Sequence, residues 1–203
     1  MKEVLLVGGF HEIIELCESI DFNIIGIYDN TIKESYLGYP IIGSDADAKN
    51  LFNVFGHIPI VVTPDDPTLR RKLVNYYCSI GYKLTSVISR KSIISKSSKI
   101  EEGVIIQDFC NISANSVIER SVKLNSCANV MHDSVVGRYS TIAPNAVILG
   151  RVKIGENCYI GANSTLLPNL TVTDDVTVGA GAVVTKDIEK SCVVIGSPAR
   201  ELK

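Results

Sequence analysis

A strict six-residue period runs through the second half of the chain and limits the folds open to it. Every sixth residue from 94 to 184 is aliphatic, and the residue four positions further on is small or aliphatic from Ser98 to Ala182. Two inward positions in every six residues predict a narrow core of stacked short strands. The aliphatic positions are Ile94, Ile100, Ile106, Ile112, Ile118, Leu124, Val130, Val136, Ile142, Ile148, Ile154, Ile160, Leu166, Val172, Val178 and Val184.

A second position of the hexad carries turn-forming residues. The residue three after each aliphatic one is Gly, Asn or Asp in nine of the fifteen hexads, and these residue types tolerate positive φ. Short strands joined by tight corners predict a parallel β-helix of hexapeptide repeats. The nine residues are Gly103, Asn115, Asp133, Asn145, Asn157, Asn163, Asn169, Asp175 and Gly181.

Other periodic folds fit the pattern less well. An α-helix needs an apolar stripe at 3.6-residue spacing, which a period of six does not provide, and β-branched residues are abundant here. The strands of a β-sandwich match single hexads but do not keep one phase over about ninety residues.

The first eighty residues have the pattern of a small α/β layer. Apolar strands are predicted at 4–7, 23–28 and 59–62, and amphipathic helices at 11–20 and 67–80. We therefore expect an α/β domain with a small Rossmann-like parallel sheet over residues 1–84. A β-helix domain with a C-terminal cap is expected over 85–203.

Composition excludes several classes of function. A net charge of -2 and a pI near 5.9 give no electrostatic case for binding nucleic acid or an anionic membrane. The first eight residues lack the pattern of a signal peptide or membrane span, so a cytoplasmic protein is expected.

Metal and disulfide chemistry are not expected either. Only three histidines occur, and one of them lies in the solenoid, which argues against a three-histidine zinc site of the β-helix carbonic anhydrase kind. The cysteines lack C-x-x-C spacing, and two of them fall on inward positions of the hexad, so we interpret them as reduced. They are Cys17, Cys78, Cys110, Cys127, Cys158 and Cys192.

Three loops of the α/β layer are candidate ligand contacts. Ligands of open α/β sheets gather at the carboxyl ends of the strands, which here are Gly8-Gly9, Asp29-Asn30 and residues 63–66. The Gly-Gly pair lacks the G-x-G-x-x-G spacing of a dinucleotide site. From the residues alone, a ligand site and a plain tight turn both remain open.

Three segments give a more specific resemblance. With the domain order, "NSCANVMHDSVVG", "VKIGENCYIGANSTLLPNLTV" and "VIGSPAR" resemble the bacterial nucleotide-sugar acetyltransferases. That branch includes the UDP-4-amino-sugar N-acetyltransferases and the so-called sialic acid O-acetyltransferases. The resemblance implies a left-handed coil, against the usual right-handed crossover. It also implies a homotrimer with acetyl-CoA between neighbouring solenoids, active sites between subunits, and no metal.

The resemblance assigns catalytic roles to four residues. His132 would be the general base, since neutral imidazole accepts a proton near pH 7, and Asp133 would orient its ring. Asn125 would hydrogen-bond within the site, and the N–H of Gly150 would stabilise the oxyanion. Without the resemblance, His132 is more simply a surface histidine and the other three are corner residues. Direct attack by the acceptor requires no acyl-enzyme at Cys127.

Binding residues also follow from the resemblance. Acetyl-CoA would contact Thr141, Gly150, Ala162 and Ala180, although relatives often have histidine where Thr141 stands. Residues 196–200 resemble the loop that closes the family's solenoid. The loop after the first strand is one residue shorter than the family's loop, and Glu12 stands where the family has a glycine. A carboxylate at Glu12 is unfavourable beside a pyrophosphate unless it points away. The sugar nucleotide would contact Gly9, Phe10, His11, Asp29, Asn30, Asp66 and Arg70.

Three functions follow as hypotheses. The first is N-acetylation of a UDP-, dTDP- or GDP-linked 4-amino-4,6-dideoxy sugar for bacterial glycan or O-antigen synthesis. The second is O-acetylation of a sugar hydroxyl, such as that of sialic acid. The third is a non-catalytic β-helix, which the mixed Lys, Glu, Asn and Asp of the outward positions disfavour, because ice-binding faces require ordered threonine rows.

Overall fold

A computed structural model describes residues 2–202. The amino-terminal region is a five-stranded sheet in the order β3-β4-β2-β1-β5, parallel except for the β3–β4 hairpin. The helices pack against this sheet. Its elements are β1 (Lys2–Val7), α1 (His11–Ser19), β2 (Phe22–Tyr28), β3 (Ser35–Tyr36), β4 (Tyr39–Gly43), α2 (Ala48–Phe55), β5 (Ile60–Val62) and α3 (Pro67–Ile80).

The predicted α/β layer is confirmed, and two elements were not predicted. The β3–β4 hairpin turns through Leu37 and Gly38, both at positive φ, the backbone that two-residue hairpins favour. Helix α2 was not predicted, although Ala48, Leu51, Phe52 and Phe55 recur at helical spacing and contact the core beneath the sheet. Helix α3 begins and ends at the predicted residues, since Pro67 fits the first turn and Asp66 caps it.

The remainder is a solenoid of two- and three-residue strands in three sheets, and residues eighteen apart stack in register. Face 1 consists of β6 (Val87–Ile88), β9 (Ile105–Ile106), β12 (Lys123–Leu124), β15 (Thr141–Ile142), β18 (Tyr159–Ile160), β21 (Thr177–Val178), β23 (Val193–Ile195) and β24 (Arg200–Glu201). Face 2 consists of β7 (Ile93–Ile94), β10 (Asn111–Ile112), β13 (Asn129–Val130), β16 (Val147–Ile148), β19 (Thr165–Leu166) and β22 (Val183–Val184). Face 3 consists of β8 (Lys99–Ile100), β11 (Val117–Ile118), β14 (Val135–Val136), β17 (Lys153–Ile154) and β20 (Thr171–Val172).

The corners lie where the hexad predicts them. Every sixth residue from 103 to 181 has a positive φ, including Phe109, Tyr139 and Arg151, whose types do not favour it. These side chains adopt a strained backbone because a corner of the coil must fall there. Both inward positions are buried, and inward serines such as Ser134 donate to main-chain carbonyls, which satisfies their hydroxyls.

The α/β region packs on face 1. Val87 and Ile105 belong to the core beneath α1, and Tyr139 belongs to the core beneath α3. The last backbone bond to the α/β sheet runs from the N–H of Thr85 to the carbonyl of Ile60, and the first solenoid strand begins at Val87. A domain boundary between residues 84 and 85 stays a prediction. None of the helices formed by residues 2–202 has the length and apolar character needed to cross a bilayer.

Candidate active site

His132 lies at the corner between faces 2 and 3, the edge of the coil opposite face 1. Its side chain is 48% exposed, and its Nδ1 is 2.8 Å from Oδ2 of Asp133, the carboxylate predicted to orient it. The ring stacks over Gly150 in the next coil, where an added Cβ would lie 2.7 Å from Nε2. With Nδ1 bonded to a carboxylate, Nε2 is the nitrogen that can accept a proton from an acceptor group.

The Asp133 carboxylate is held from both sides. The amide of Asn115, in the preceding coil, donates to Oδ1 of Asp133 at 3.2 Å, which leaves Oδ2 for His132. Hydrogen bonds from His132 and then Asn115 lower the pKa of Asp133, so this carboxylate is ionised near pH 7. Asn115 was predicted only as a corner residue. Its eighteen-residue offset from Asp133 is the signal that places the two side chains in contact.

The backbone of Gly150 suits the predicted oxyanion contact. Among residues 2–202, the Gly150 N–H meets no protein acceptor, whereas its carbonyl accepts from the N–H of Asn169. Pro144 and Pro168 occupy the same corner position in other coils, as expected where the coil needs no N–H. This N–H is therefore free to donate to a ligand beside the imidazole of His132.

The predicted cofactor residues Ala162 and Ala180 stack at another corner, between faces 1 and 2. The Ala162 carbonyl accepts from the N–H of Gly181, and their small side chains leave this corner open. Cys127 also lies at a face 1–2 corner, one sheet away from the His132 corner. Two corners of one coil cannot form a single site, so Cys127 does not form an acyl-enzyme relay with His132 of the same chain.

Two predicted contacts are buried beneath the α/β region. Thr141 is 0% exposed, and its Oγ1 donates to the Asp65 carbonyl at 2.7 Å, so it is unavailable to a cofactor. Asn125 is 6% exposed and donates to Oδ1 of Asp65 at 3.2 Å. Thr141 as an acetyl-CoA contact is therefore corrected, because face 1 is covered at its position. Asn125 lies at the face 1–2 corner, away from His132 of the same chain.

Arg70 is also corrected, from a substrate contact to an interdomain one. It is 1% exposed, and its guanidinium donates to the Ser121 carbonyl at 2.9 Å, the Pro64 carbonyl at 2.7 Å and the Tyr139 carbonyl. Burial lowers the pKa of Arg70 to about 10, so the group stays protonated near pH 7. With its donors used on protein carbonyls, Arg70 joins the α/β region to the solenoid and has none to offer a substrate.

Asp29 organises the first two candidate loops. Its Oδ2 accepts from the N–H of Gly9 at 2.8 Å, and its Oδ1 accepts from Thr31 and Ile32. Partial burial acts to raise the pKa of Asp29, but hydrogen bonds led by that of Gly9 lower it overall. An added Cβ at Gly9 would come 2.7 Å from the side chain of Ile32, so this turn admits only glycine without rearrangement.

The start of α1 is a candidate site for an anion. Phe10 stands at the N-cap position without a side-chain cap, and His11 begins the helix, with its Nε2 3.1 Å from Oε1 of Glu15. Glu12 reaches the solenoid instead, where its Oε2 accepts from Gln107 at 3.0 Å. The unfavourable carboxylate therefore points away from the helix terminus, whose N–H groups are the usual partners of a phosphate.

The remaining two predicted residues are used within the protein. Asn30 exchanges hydrogen bonds with Asp45, through Nδ2 at 2.6 Å and Oδ1 at 3.0 Å. Asp66 is exposed and caps α3, where its carboxylate accepts from the N–H of Leu69 at 2.6 Å. Asp45 was not predicted, because it lies in the segment between β4 and α2 that carried no apolar pattern.

The histidines, cysteines and carboxylates of the described residues lie apart from one another or are used within the fold. Over residues 2–202, no group of three or more His, Cys, Asp and Glu side chains could hold a metal ion. All six cysteines are free, and burial raises the pKa of Cys110 to about 12 and of Cys158 to about 11. These two thiols are protonated core side chains.

Sequence comparison agrees with the coil geometry. Residues 115–150 and 151–186 match the family model described as bacterial transferase hexapeptide (six repeats). The matched residues lie within the solenoid and include the His132 corner. The predicted resemblance and fold class, including the left-handed coil, are thereby confirmed. No curated protein sequence matches the chain.

Solved structures resemble the whole chain. PerB from Caulobacter crescentus, in complex with CoA and GDP-perosamine, has 28% identity and a TM-score of 0.93, covering 100% of this chain and 98% of that chain. The acetyltransferase domain of PglB from Neisseria gonorrhoeae has 28% identity and a TM-score of 0.93, covering 100% of both chains. WeeI from Acinetobacter baumannii, at 22% identity and a TM-score of 0.72, shares the fold.

Proposed function

We propose that this protein is an acetyl-CoA-dependent N-acetyltransferase of a nucleotide-linked amino sugar. The main structural support for this proposal is the His132–Asp133 pair, which lies beside the free N–H of Gly150. Two relatives that match the whole chain support it, since one binds CoA with GDP-perosamine and the other binds acetyl coenzyme A. The acceptor is the 4-amino group of a UDP-, dTDP- or GDP-linked 4-amino-4,6-dideoxy sugar, for bacterial glycan or O-antigen synthesis.

The reaction is a direct acetyl transfer. The amine nitrogen attacks the thioester carbonyl carbon while Nε2 of His132 takes the amine proton, and Asp133 stabilises the imidazolium. The N–H of Gly150 donates to the carbonyl oxygen as it becomes negative. The C–S bond then breaks, the amide forms, and the proton on His132 passes to the departing CoA thiolate. Acetyl-CoA supplies the activated acetyl group.

The active site is shared between subunits of a homotrimer. His132 lies on the edge opposite face 1, whereas the loops around Gly9 and Asp66 belong to the region that covers face 1. One copy therefore cannot bring its own His132 to its own sugar-nucleotide loops. The open corner at Ala162 and Ala180 flanks the opposite edge of face 2. In the trimer, this corner of one copy faces the His132 corner of its neighbour, with acetyl-CoA between them.

A thiol-release assay tests this function. Purified protein with acetyl-CoA is offered UDP-, dTDP- and GDP-linked 4-amino sugars and free sialic acid, beside His132→Ala. We expect turnover of one nucleotide amino sugar, with kcat lowered about 10²- to 10⁴-fold in the variant, the usual contribution of a general base. Turnover of sialic acid alone would replace the proposal with O-acetylation. No turnover of any acceptor would refute the enzyme.

A mixing experiment tests the shared site. His132→Ala and a variant that lacks sugar-nucleotide binding, Gly9→Val, are each inactive alone. Unfolding and refolding them together is expected to restore activity through trimers in which an intact His132 meets an intact loop. Mixtures without activity, from refolded trimers of normal size, would contradict a site between subunits.

A further inference from the structure

A buried lysine joins the solenoid to two loops of the α/β region. Lys123 occupies the outward position of β12 on face 1, yet its side chain is 0% exposed. Its Nζ is 2.8 Å from Oδ1 of Asp65 and donates to the carbonyl of Thr63 at 2.9 Å. The same ammonium lies 4.4 Å from the centre of the Phe10 ring, within the range of a cation–π contact.

The two loops are those proposed to bind the sugar nucleotide. Phe10 ends the loop after β1, and Thr63 and Asp65 lie in the loop after β5 that leads to the cap of α3. Lys123 is thus a single charged group that contacts both loops from beneath. Phe10 is far in sequence from Thr63 and Asp65, and all three are far from Lys123, so the lysine fixes the loops relative to each other and to the solenoid.

Asp65 is held by the solenoid through its main chain as well. Its carbonyl accepts from Oγ1 of Thr141 at 2.7 Å and from the Arg70 guanidinium at 3.1 Å, and its carboxylate accepts from Asn125. The Asp65 side chain remains 39% exposed. One side of this residue is fixed to face 1, while the other borders the solvent where a substrate arrives.

Electrostatics gives the pair a further effect on an anionic substrate. Desolvation of a buried ammonium is unfavourable, and a well-packed apolar residue commonly replaces a buried ion pair without loss of stability. Stability by itself is therefore a weak reason for a lysine at this position. Lys123 offsets the Asp65 carboxylate, which would otherwise repel the diphosphate of a sugar nucleotide.

We propose that Lys123 and Asp65 are a positioning pair through which the solenoid sets the geometry and charge of the sugar-nucleotide loops. The pair governs binding of the sugar nucleotide and leaves the acetyl-transfer step unchanged. This inference rests on the proposed function. Neither residue lies at the His132 corner, so neither reaches the acetyl group in its own chain.

Steady-state kinetics of Lys123→Met, Asp65→Asn and the double variant test the pair. We expect KM for the sugar nucleotide to rise on the order of tenfold in Lys123→Met, where the loops lose their contact and the Asp65 carboxylate loses its counter-charge. The rise should be smaller in Asp65→Asn, because loss of the carboxylate also removes its repulsion of the diphosphate. In both variants kcat and KM for acetyl-CoA should change by less than about twofold. The double variant is expected to be no worse than Lys123→Met. Lys99→Met is the matched control, because Lys99 has the same hexad position but is exposed on face 3. A fall in kcat at unchanged KM, or an equal effect in the control, would overturn the proposal.

Amide hydrogen exchange provides a readout that does not require turnover. Lys123→Met is expected to speed exchange in residues 8–12 and 63–70 while the solenoid strands keep wild-type protection. Unchanged exchange in these loops would overturn the positioning role even if the enzyme is active. If wild-type protein acetylates no sugar, the proposed function fails while the exchange result still decides whether the pair orders the loops. Asp65→Asn keeps the test available if Lys123→Met does not fold, since Asp65 is partly exposed.

Discussion

Replacing Gly150 with alanine changes the position of the imidazole without removing it. The new Cβ would lie 2.7 Å from Nε2 of His132, whereas ordinary contact begins at 3.4 Å, so the ring must move by about 0.7 Å (3.4 minus 2.7). A displacement of about 1 Å in a catalytic group lowers a rate by roughly 10²-fold. We therefore expect kcat of Gly150→Ala to fall by about that factor. The free energy of unfolding should fall by about 1 kcal/mol, at the low end for overpacking, because the ring is half exposed.

A double-mutant cycle separates this displacement from other effects of the methyl group. Kinetics and urea unfolding are measured for Gly150→Ala, His132→Ala and the double variant. Without the imidazole the added methyl group meets no ring, so Gly150→Ala should change kcat by less than about threefold in the His132→Ala background. An equal loss of kcat in both backgrounds would refute the steric argument. It would point instead to an effect on the Gly150 N–H.

Three further predictions follow from the described contacts. Asn115→Gly keeps the positive φ but removes the amide that donates to the Asp133 carboxylate, so kcat should fall about 3- to 10-fold. The control, Asn169→Gly, lies at the same corner position and should retain wild-type kcat. Arg70→Ala leaves buried carbonyls unpaired and should lower the free energy of unfolding by about 3–5 kcal/mol in urea titrations, against less than about 0.5 kcal/mol for the exposed Arg71→Ala. The pKa of Asp29 is lowered in the folded protein, so its carboxylate stabilises the fold above about pH 3.8, and this stabilisation is lost as pH falls through the folded pKa. Asp29→Asn should therefore lower Tm by its full amount at pH 7 and by little once pH is below the folded pKa; a pH-independent loss of Tm would contradict this role of Asp29.

The contacts of the His132 corner were predictable because the geometry of the coil is repetitive. In a coil with eighteen residues per turn, sequence offset fixes which side chains stack, so His132 lies over Gly150 and Asp133 lies beside Asn115. Each contact joins neighbouring coils and depends only on the hexad phase. The same rule, applied to every corner residue, would have identified Asn115 from the sequence.

The loops proposed to bind the sugar nucleotide were predictable in place but not in detail. Strand ends located Gly9 and Asp29 correctly at one edge of the sheet, where they are hydrogen-bonded to each other. Which polar groups remain free for a ligand depends on contacts from distant segments. The Asn30 amide donates to Asp45, which lies in a segment without apolar periodicity. The Glu12 carboxylate accepts from Gln107 of the solenoid and therefore points away from the loop.

The sequence by itself determined the solenoid and its corners, because a repeat interacts with its nearest neighbours and its period sets those contacts. The pairing of His132 with Asp133 was implied by the family resemblance. Only the tertiary structure decided which solenoid face the α/β region covers, and that face is face 1. Lys99, Lys123 and Lys153 have the same outward hexad position, yet only Lys123 is buried, since the α/β region packs over it. Docking of two regions depends on contacts between residues far apart in sequence, and no local period records them.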